Sequence, residues 1–234
     1  MSRERVPEIG PAARSRADRP IATAYLRHRF GWLFGTLLLT LAAGPTLDAL
    51  VPHHNALQLL LALNLVAAIA SVAREHDMRI PIMLGISFAV ARVAQAAVGV
   101  PGMLGVSEGL WLIGIVLAMV TTVRHAFGRG AVDAERIFAA LDAYLLAGLL
   151  FGVAYWMLDA LWPGSFGGTA PGALDASHAI YFSFVTIATL GYGDVTPVSE
   201  PARGLAIVEG VSGQMYLAVL VARLVSLYAR QHED

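Results

Sequence analysis

The chain has 234 residues, 57% of them hydrophobic and only 14% charged, with a formal net charge of −1 and a mean hydropathy of +0.64. A soluble domain of this size carries about a quarter charged residues, so an ordinary soluble globule is excluded. No cysteine is present, which excludes a disulfide framework and thiol chemistry.

All 16 basic residues are arginine, and Ala, Gly, Leu and Val are abundant, a composition expected of a bacterial protein. No span carries His and acid pairs at ligand spacing, and no P-loop, serine elbow or metal motif occurs, so an enzyme is not expected. Neither a cofactor nor a nucleic-acid partner is expected.

In chain order, residues 1–20 are polar and carry Arg3, Arg5, Arg14, Arg16 and Arg19. They lack the apolar core and small-residue cleavage site of a signal peptide. Residues 1–29 are read as a cytoplasmic arm that either fixes topology or touches anionic headgroups. Apolar blocks follow near 30–43 (extended toward 50 past Gly44-Pro45), 56–73, 80–98, 109–126, 137–158 and 203–228. Crossing a bilayer takes about 20 apolar residues, so the expectation is an all-α membrane protein with six transmembrane helices. The first four spans, 30–126, form one expected domain, and residues 127–234 a second.

The fourth span, "GLWLIGIVLAMVTTVRHA", has no charge before Arg124. A voltage sensor needs arginines repeated through the membrane field, so a non-sensing scaffold is expected. Arg92 is the clear intramembrane charge of the third span. It is either a functional residue with an acidic partner (Asp77, Asp48 or Glu108) or a side chain in a structural ion pair or snorkelling to the interface.

Between the fifth and sixth spans the pattern changes. "WPGSFGGTAPG" is turn-rich. "SHAIYFSFVTIATL" is apolar but too short to span, the pattern of a re-entrant helix, which Asp175 or Ser177 could cap. With the N-terminus inside, inner segments hold Arg27, Arg29, Arg74, Arg79, Arg124, Arg129, Arg136 and Arg230, whereas only Arg203 falls outside. The positive-inside rule therefore puts both termini in the cytoplasm and the "TLGYGD" stretch on the outer side.

Non-helical backbone at membrane depth must be buried or line a water-filled path. A cation leaving water needs oxygen ligands, which rings of backbone carbonyls supply. Turning successive carbonyls to one axis requires alternate left-handed residues, and Gly191 and Gly193 have that spacing. Thr189 adds a hydroxyl, and the C-terminal end of the short helix adds partial negative charge.

Thr189–Asp194, "TLGYGD", resembles the potassium-channel signature TVGYG followed by Asp, with Leu190 where valine or isoleucine is usual. The resemblance covers about the last 100 residues. "YLLAGLLFGVAYWMLD" is similar to an outer helix and "VEGVSGQMYLAVLVARLV" to an inner helix. It implies a re-entrant pore helix, a selectivity filter between the fifth and sixth spans, and a tetrameric pore in the plasma membrane. K⁺ would bind at Thr189, Leu190, Gly191 and Tyr192, with Gly193 completing the filter. Asp194, Tyr181, Phe182 and Val185 would support it. Val185 stands where some bacterial channels carry glutamate, so no buried carboxylate is expected behind the filter. Partners implied are three further copies of the chain, membrane lipid and K⁺ as permeant ion.

Gly213 matches the family's hinge glycine, either as a bend or as a close-packing site. Glu209, one turn earlier, could reach the surroundings of the pore helix. His178 is the first candidate for proton sensing, against an ordinary interfacial role. The short tail "QHED" leaves the gate at the filter or at a crossing of inner helices. A pore subunit of a K⁺ transporter and a non-conducting scaffold are the competing readings.

Overall fold

The computed structural model describes residues 28–50, 64, 67–68, 103–128, 133–168 and 174–230. The described chain is mostly helical. Helix α1 spans Arg29–Leu50, α2 Met103–Ala126, α3 Ala134–Leu161, α4 Ala176–Ile187 and α5 Glu200–Arg230. Among the described helices, α3 and α5 are long and apolar enough to cross a bilayer, with hydropathies of 2.0 and 1.7 over their most apolar stretches. The spans expected at 56–73 and 80–98, including Arg92, lie outside the described residues apart from Asn64, Ala67 and Ala68, as does the arm before His28.

Helices begin where the sequence supplies acceptors for free backbone N–H groups. Asp133 caps α3 by accepting the Arg136 N–H at 3.0 Å. Asp175, not Ser177, caps α4 by accepting the His178 N–H at 2.8 Å. Ser199 Oγ accepts the Ala202 N–H at the start of α5. The first turn of α1 is capped from a distance: Glu135 of α3 accepts the Phe30 N–H at 3.1 Å.

Helix α3 is the centre of the bundle. Its Leu145, Leu146, Leu149 and Val153 bury against Leu33 and Leu37 of α1, Ile115 and Ala118 of α2, and Ile180 of α4. Lipid tails are as apolar as these side chains, so close packing rather than transfer from water must hold such a bundle together. Small residues on α3 provide that closeness toward α4. A Cβ at Gly148 would lie 2.7 Å from the Phe184 ring, and one at Gly152 would lie 2.8 Å from the Ile180 Cα.

The departure from an all-α chain is a two-stranded antiparallel ribbon. Strand β1 (Phe166–Gly168) pairs with β2 (Val195–Pro197), Phe166 opposite Pro197 and Gly168 opposite Val195. The turn-rich segment before α4 therefore meets the chain emerging after it. Gly168, at φ +148°, takes a conformation that side chains rarely adopt, and a Cβ there would collide with the Asp194 carbonyl. Asp159, buried near the end of α3, accepts the Ser165 N–H at 3.0 Å and the Leu174 N–H at 2.8 Å. One carboxylate thus ties down both sides of the connection into α4.

The glycine contacts predict a directional result. Gly152→Ala should destabilise the bundle by about 1–3 kcal/mol, because the Ile180 backbone must give way. Gly35→Ala, where nothing lies within 4 Å of the added Cβ, should leave thermal unfolding in detergent unchanged or slightly raise its midpoint.

Candidate functional site

Residues Ala188–Asp194 leave the C-terminal end of α4 and return to β2. Their backbone runs in a regular alternation. Thr189, Gly191 and Gly193 have φ of +59°, +59° and +80°. The two glycines adopt left-handed angles without a Cβ penalty, but Thr189 is β-branched, and a residue of that shape at positive φ is strained.

The N–H groups of the loop turn back onto α4. Ala188 N–H donates to the Phe184 carbonyl at 3.1 Å and Thr189 N–H to Thr186 at 2.9 Å. Leu190 and Gly191 both donate to the Val185 carbonyl, at 2.9 and 3.4 Å. The Ile187 carbonyl accepts from Tyr144 Oη of α3 at 3.1 Å. The carbonyl-rich end of α4 is thereby satisfied. By contrast, the carbonyls of Thr189, Leu190, Gly191 and Tyr192 accept no hydrogen bond among the described residues. Leu190 and Tyr192 are 56% and 67% exposed within the single chain, so neither packs behind the loop into this chain's own core.

Behind the loop stand the aromatic residues of α4. Tyr181 Oη donates to Asp194 Oδ2 at 2.7 Å, and Asp194 Oδ1 accepts the Val195 N–H at 3.0 Å. Phe182 is buried against Tyr155 of α3 and Phe166 of β1, with ring centroids 4.9 and 5.4 Å away in edge-on geometry. Val185 is buried and holds the loop through its carbonyl. His178 is half exposed and pairs with the capping Asp175 at 2.9 Å.

A buried carboxylate does stand against α4, contrary to the expectation drawn from Val185, and it comes from α5. Glu209 is fully buried. It accepts from Tyr155 Oη of α3 at 2.6 Å and contacts Ser183 Oγ of α4, which also contacts the Gly148 carbonyl at 2.6 Å. An apolar residue at position 185 removes a carboxylate from α4 but says nothing about one arriving from another helix. Gly213, one turn after Glu209, lies where a Cβ would stand 2.5 Å from Ile187 Cγ1. Of the two readings of this glycine, close packing has a direct observation, and α5 runs unbroken through it.

Sequence reading singled out the loop, the α4 aromatics and Gly213. It missed Tyr144, Tyr155, Ser183 and Asp159, each ordinary in its local pattern. The weak signal for them was polar residues inside apolar helices, which require partners when buried.

A family model described as "Ion channel" matches residues 143–230. The chain is 35% identical over 83 residues to the two pore potassium channel c of Oryza sativa subsp. japonica, covering 36% of this chain and 18% of that protein. It is 31% identical over 91 residues to the inward rectifier potassium channel Kirbac3.1 of Paramagnetospirillum magnetotacticum, covering 37% and 28%. It is 31% identical over 121 residues to Protein LctB of Geobacillus stearothermophilus, covering 49% of this chain and 87% of that protein. The chain thus spans less than a third of the length of the two named potassium channels. No solved structure matches it.

The Tyr181–Asp194 pair has a pH signature. The Tyr181 hydroxyl, more than the neighbouring backbone N–H groups, holds the Asp194 carboxyl below its ordinary value of 3.8. The folded chain then binds that proton more weakly than the unfolded chain. The pair's stabilisation is full above the ordinary value and is lost as pH falls through the lowered one. Tyr181→Phe should raise the Asp194 pKa, read by carboxyl-carbon NMR. Its stability deficit against the parent should narrow as the pH is taken below about 4.

Proposed function

The chain belongs to the potassium channel family, and from that premise we propose that it conducts K⁺ passively across the plasma membrane through the Thr189–Gly193 loop. One observation carries the reading. The N–H groups of Thr189, Leu190 and Gly191 bond to α4, while the carbonyls from Thr189 to Tyr192 have no partner among the described residues and the backbone alternates in φ. An array of unspent carbonyls is what a dehydrated monovalent cation requires. K⁺ is proposed to bind at Thr189, Leu190, Gly191 and Tyr192. Gly193 completes the filter, and Asp194, Tyr181, Phe182 and Val185 support it from behind.

One such loop cannot encircle an ion, so the working unit is a homotetramer with closed cyclic symmetry. Helix α5 supports this. It is apolar, yet only 17% of its most apolar stretch is buried within the chain. Ile207, Val208, Val211, Met215 and Val219 are left exposed for other copies or lipid. Leu190 and Tyr192, exposed here, would seat against the neighbouring subunit.

Residues 127–234 act as the pore domain and 30–126 as a four-helix scaffold preceded by the arm 1–29, with both termini cytoplasmic. α2 carries no arginine before Arg124, so opening is not strongly voltage-dependent. The ribbon supports a re-entrant path for α4 and the loop, since the chain enters and leaves this excursion at one paired point, Gly168 opposite Val195.

The test is the reversal potential of the purified protein in a bilayer under opposed K⁺ and Na⁺ gradients. The parent should reverse near the K⁺ equilibrium potential. Gly191→Ala adds a Cβ at positive φ, a cost of about 1–2 kcal/mol per copy, and should lower the K⁺ over Na⁺ preference by roughly tenfold or more. A parent potential near zero would overturn K⁺ selectivity. A silent bilayer at every voltage and pH would favour a non-conducting scaffold.

A further inference from the structure

Glu209, Tyr155 and Ser183 bring three helices to one point, and their hydrogens can be counted. Tyr155 has one O–H, and its 2.6 Å contact with Glu209 Oε2 uses it. Ser183 also has one O–H. The Gly148 carbonyl can only accept, so the 2.6 Å contact between it and Ser183 Oγ uses the serine hydrogen. A third contact remains, between Ser183 Oγ and Glu209 Oε1. It needs a hydrogen of its own, and the only atom left to supply one is Glu209 Oε1.

We propose that Glu209 is held as a neutral carboxylic acid that donates to Ser183, and that it is the positioning residue that fixes α4 beneath the glycine loop. The consequence for the loop rests on the channel reading above. The proton completes an unbroken chain of donors, from Tyr155 to Glu209, from Glu209 to Ser183, and from Ser183 to the Gly148 carbonyl. It joins α3, α4 and α5, and the side-chain oxygens of Tyr155, Glu209 and Ser183 are each hydrogen-bonded.

The surroundings agree with a neutral group. Glu209 is fully buried, and among the described residues no cation pairs with it. The titratable groups facing it are Tyr155 and Tyr144, both from α3. α4 contributes the uncharged Ser183. A lone carboxylate without a cation is costly to bury, whereas a hydrogen-bonded acid is not.

Two readouts decide the matter, and neither requires current, so failure here is distinct from failure of the channel reading. Infrared spectra of the whole protein at neutral pH, in a detergent without ester or carboxyl groups, should contain the carbonyl stretch of a protonated carboxylic acid that Glu209→Gln removes. Asp142 and Asp159, the other buried acids among the described residues, are common to both samples and cancel in the difference. No difference band would mean that Ser183 divides its one hydrogen between two acceptors and Glu209 is charged, which overturns the proposal.

The second readout is backbone amide exchange along α4. Gln keeps an acceptor for Tyr155 and a donor for Ser183, so Glu209→Gln should exchange like the parent. Glu209→Met leaves the Tyr155 hydroxyl without an acceptor and Ser183 Oγ without its donor, and should exchange faster by about tenfold, the scale of one buried hydrogen bond. Equal exchange in all three, or Gln as fast as Met, would overturn the positioning role.

Discussion

Both Leu190 and Gly191 turn their N–H groups onto the single carbonyl of Val185, and the surrounding structure depends on that turn. An α-helix ends with carbonyls that no further residue of the helix can satisfy. Usually water or a glycine cap completes them. Here the loop that follows folds back and supplies its own N–H groups, with Tyr144 adding a hydroxyl for Ile187. The carbonyls from Thr189 to Tyr192, by contrast, accept no hydrogen bond among the described residues. A buried segment could not tolerate that. The arrangement is stable only where those carbonyls meet water or a cation, so the same hydrogen bonds that terminate α4 create the candidate site.

The loop does not hold this shape by propensity. Thr189 at φ +59° is strained, and such a residue persists only where its surroundings over-determine it. Three restraints do so. Tyr181 fixes the far end of the loop through Asp194. The ribbon closes behind Asp194, with Gly168 lying where a side chain would strike the Asp194 carbonyl. α4 is itself pressed onto α3 at Gly148 and Gly152. Each restraint uses a small residue or a hydroxyl at a close approach, which suits a bundle in which packing and hydrogen bonds, rather than expulsion from water, supply the cohesion.

The helices were legible because apolar length is a long-range, additive signal. Blocks read at 109–126, 137–158 and 203–228 fall within α2, α3 and α5, with differences of a few residues where polar first turns such as Ala134-Glu135-Arg136 extend the helix. The cap at Asp175 and the left-handed glycines 191 and 193 were also legible, since each follows from one residue's own chemistry. What was not legible involves partners distant in sequence. The ribbon pairs residues about 30 apart on a three-residue register, too short for an alternating pattern. Glu209 finds Ser183 and Tyr155 across 26 and 54 residues, and nothing local marks either as its partner. The left-handed Thr189 runs against its own β-branched preference, so local rules point the wrong way at the residue where the tertiary structure overrides them.

The spacing of contacts along α5 bears on how such a loop could be controlled. Glu209 and Gly213 are four residues apart, hence on one face of the helix. The first meets Ser183 in the middle of α4, and the second lies against Ile187 at its end. A translation of α5 therefore reaches α4 at two points one turn apart, and a bend at Gly213 must either move Ile187 or lose its packing. Ile187 is also where Tyr144 of α3 holds the chain immediately before the loop. The contacts at Ile187 thus join α5, α3 and the residue that precedes the loop, so a rearrangement of any one of the three must be accommodated by the other two.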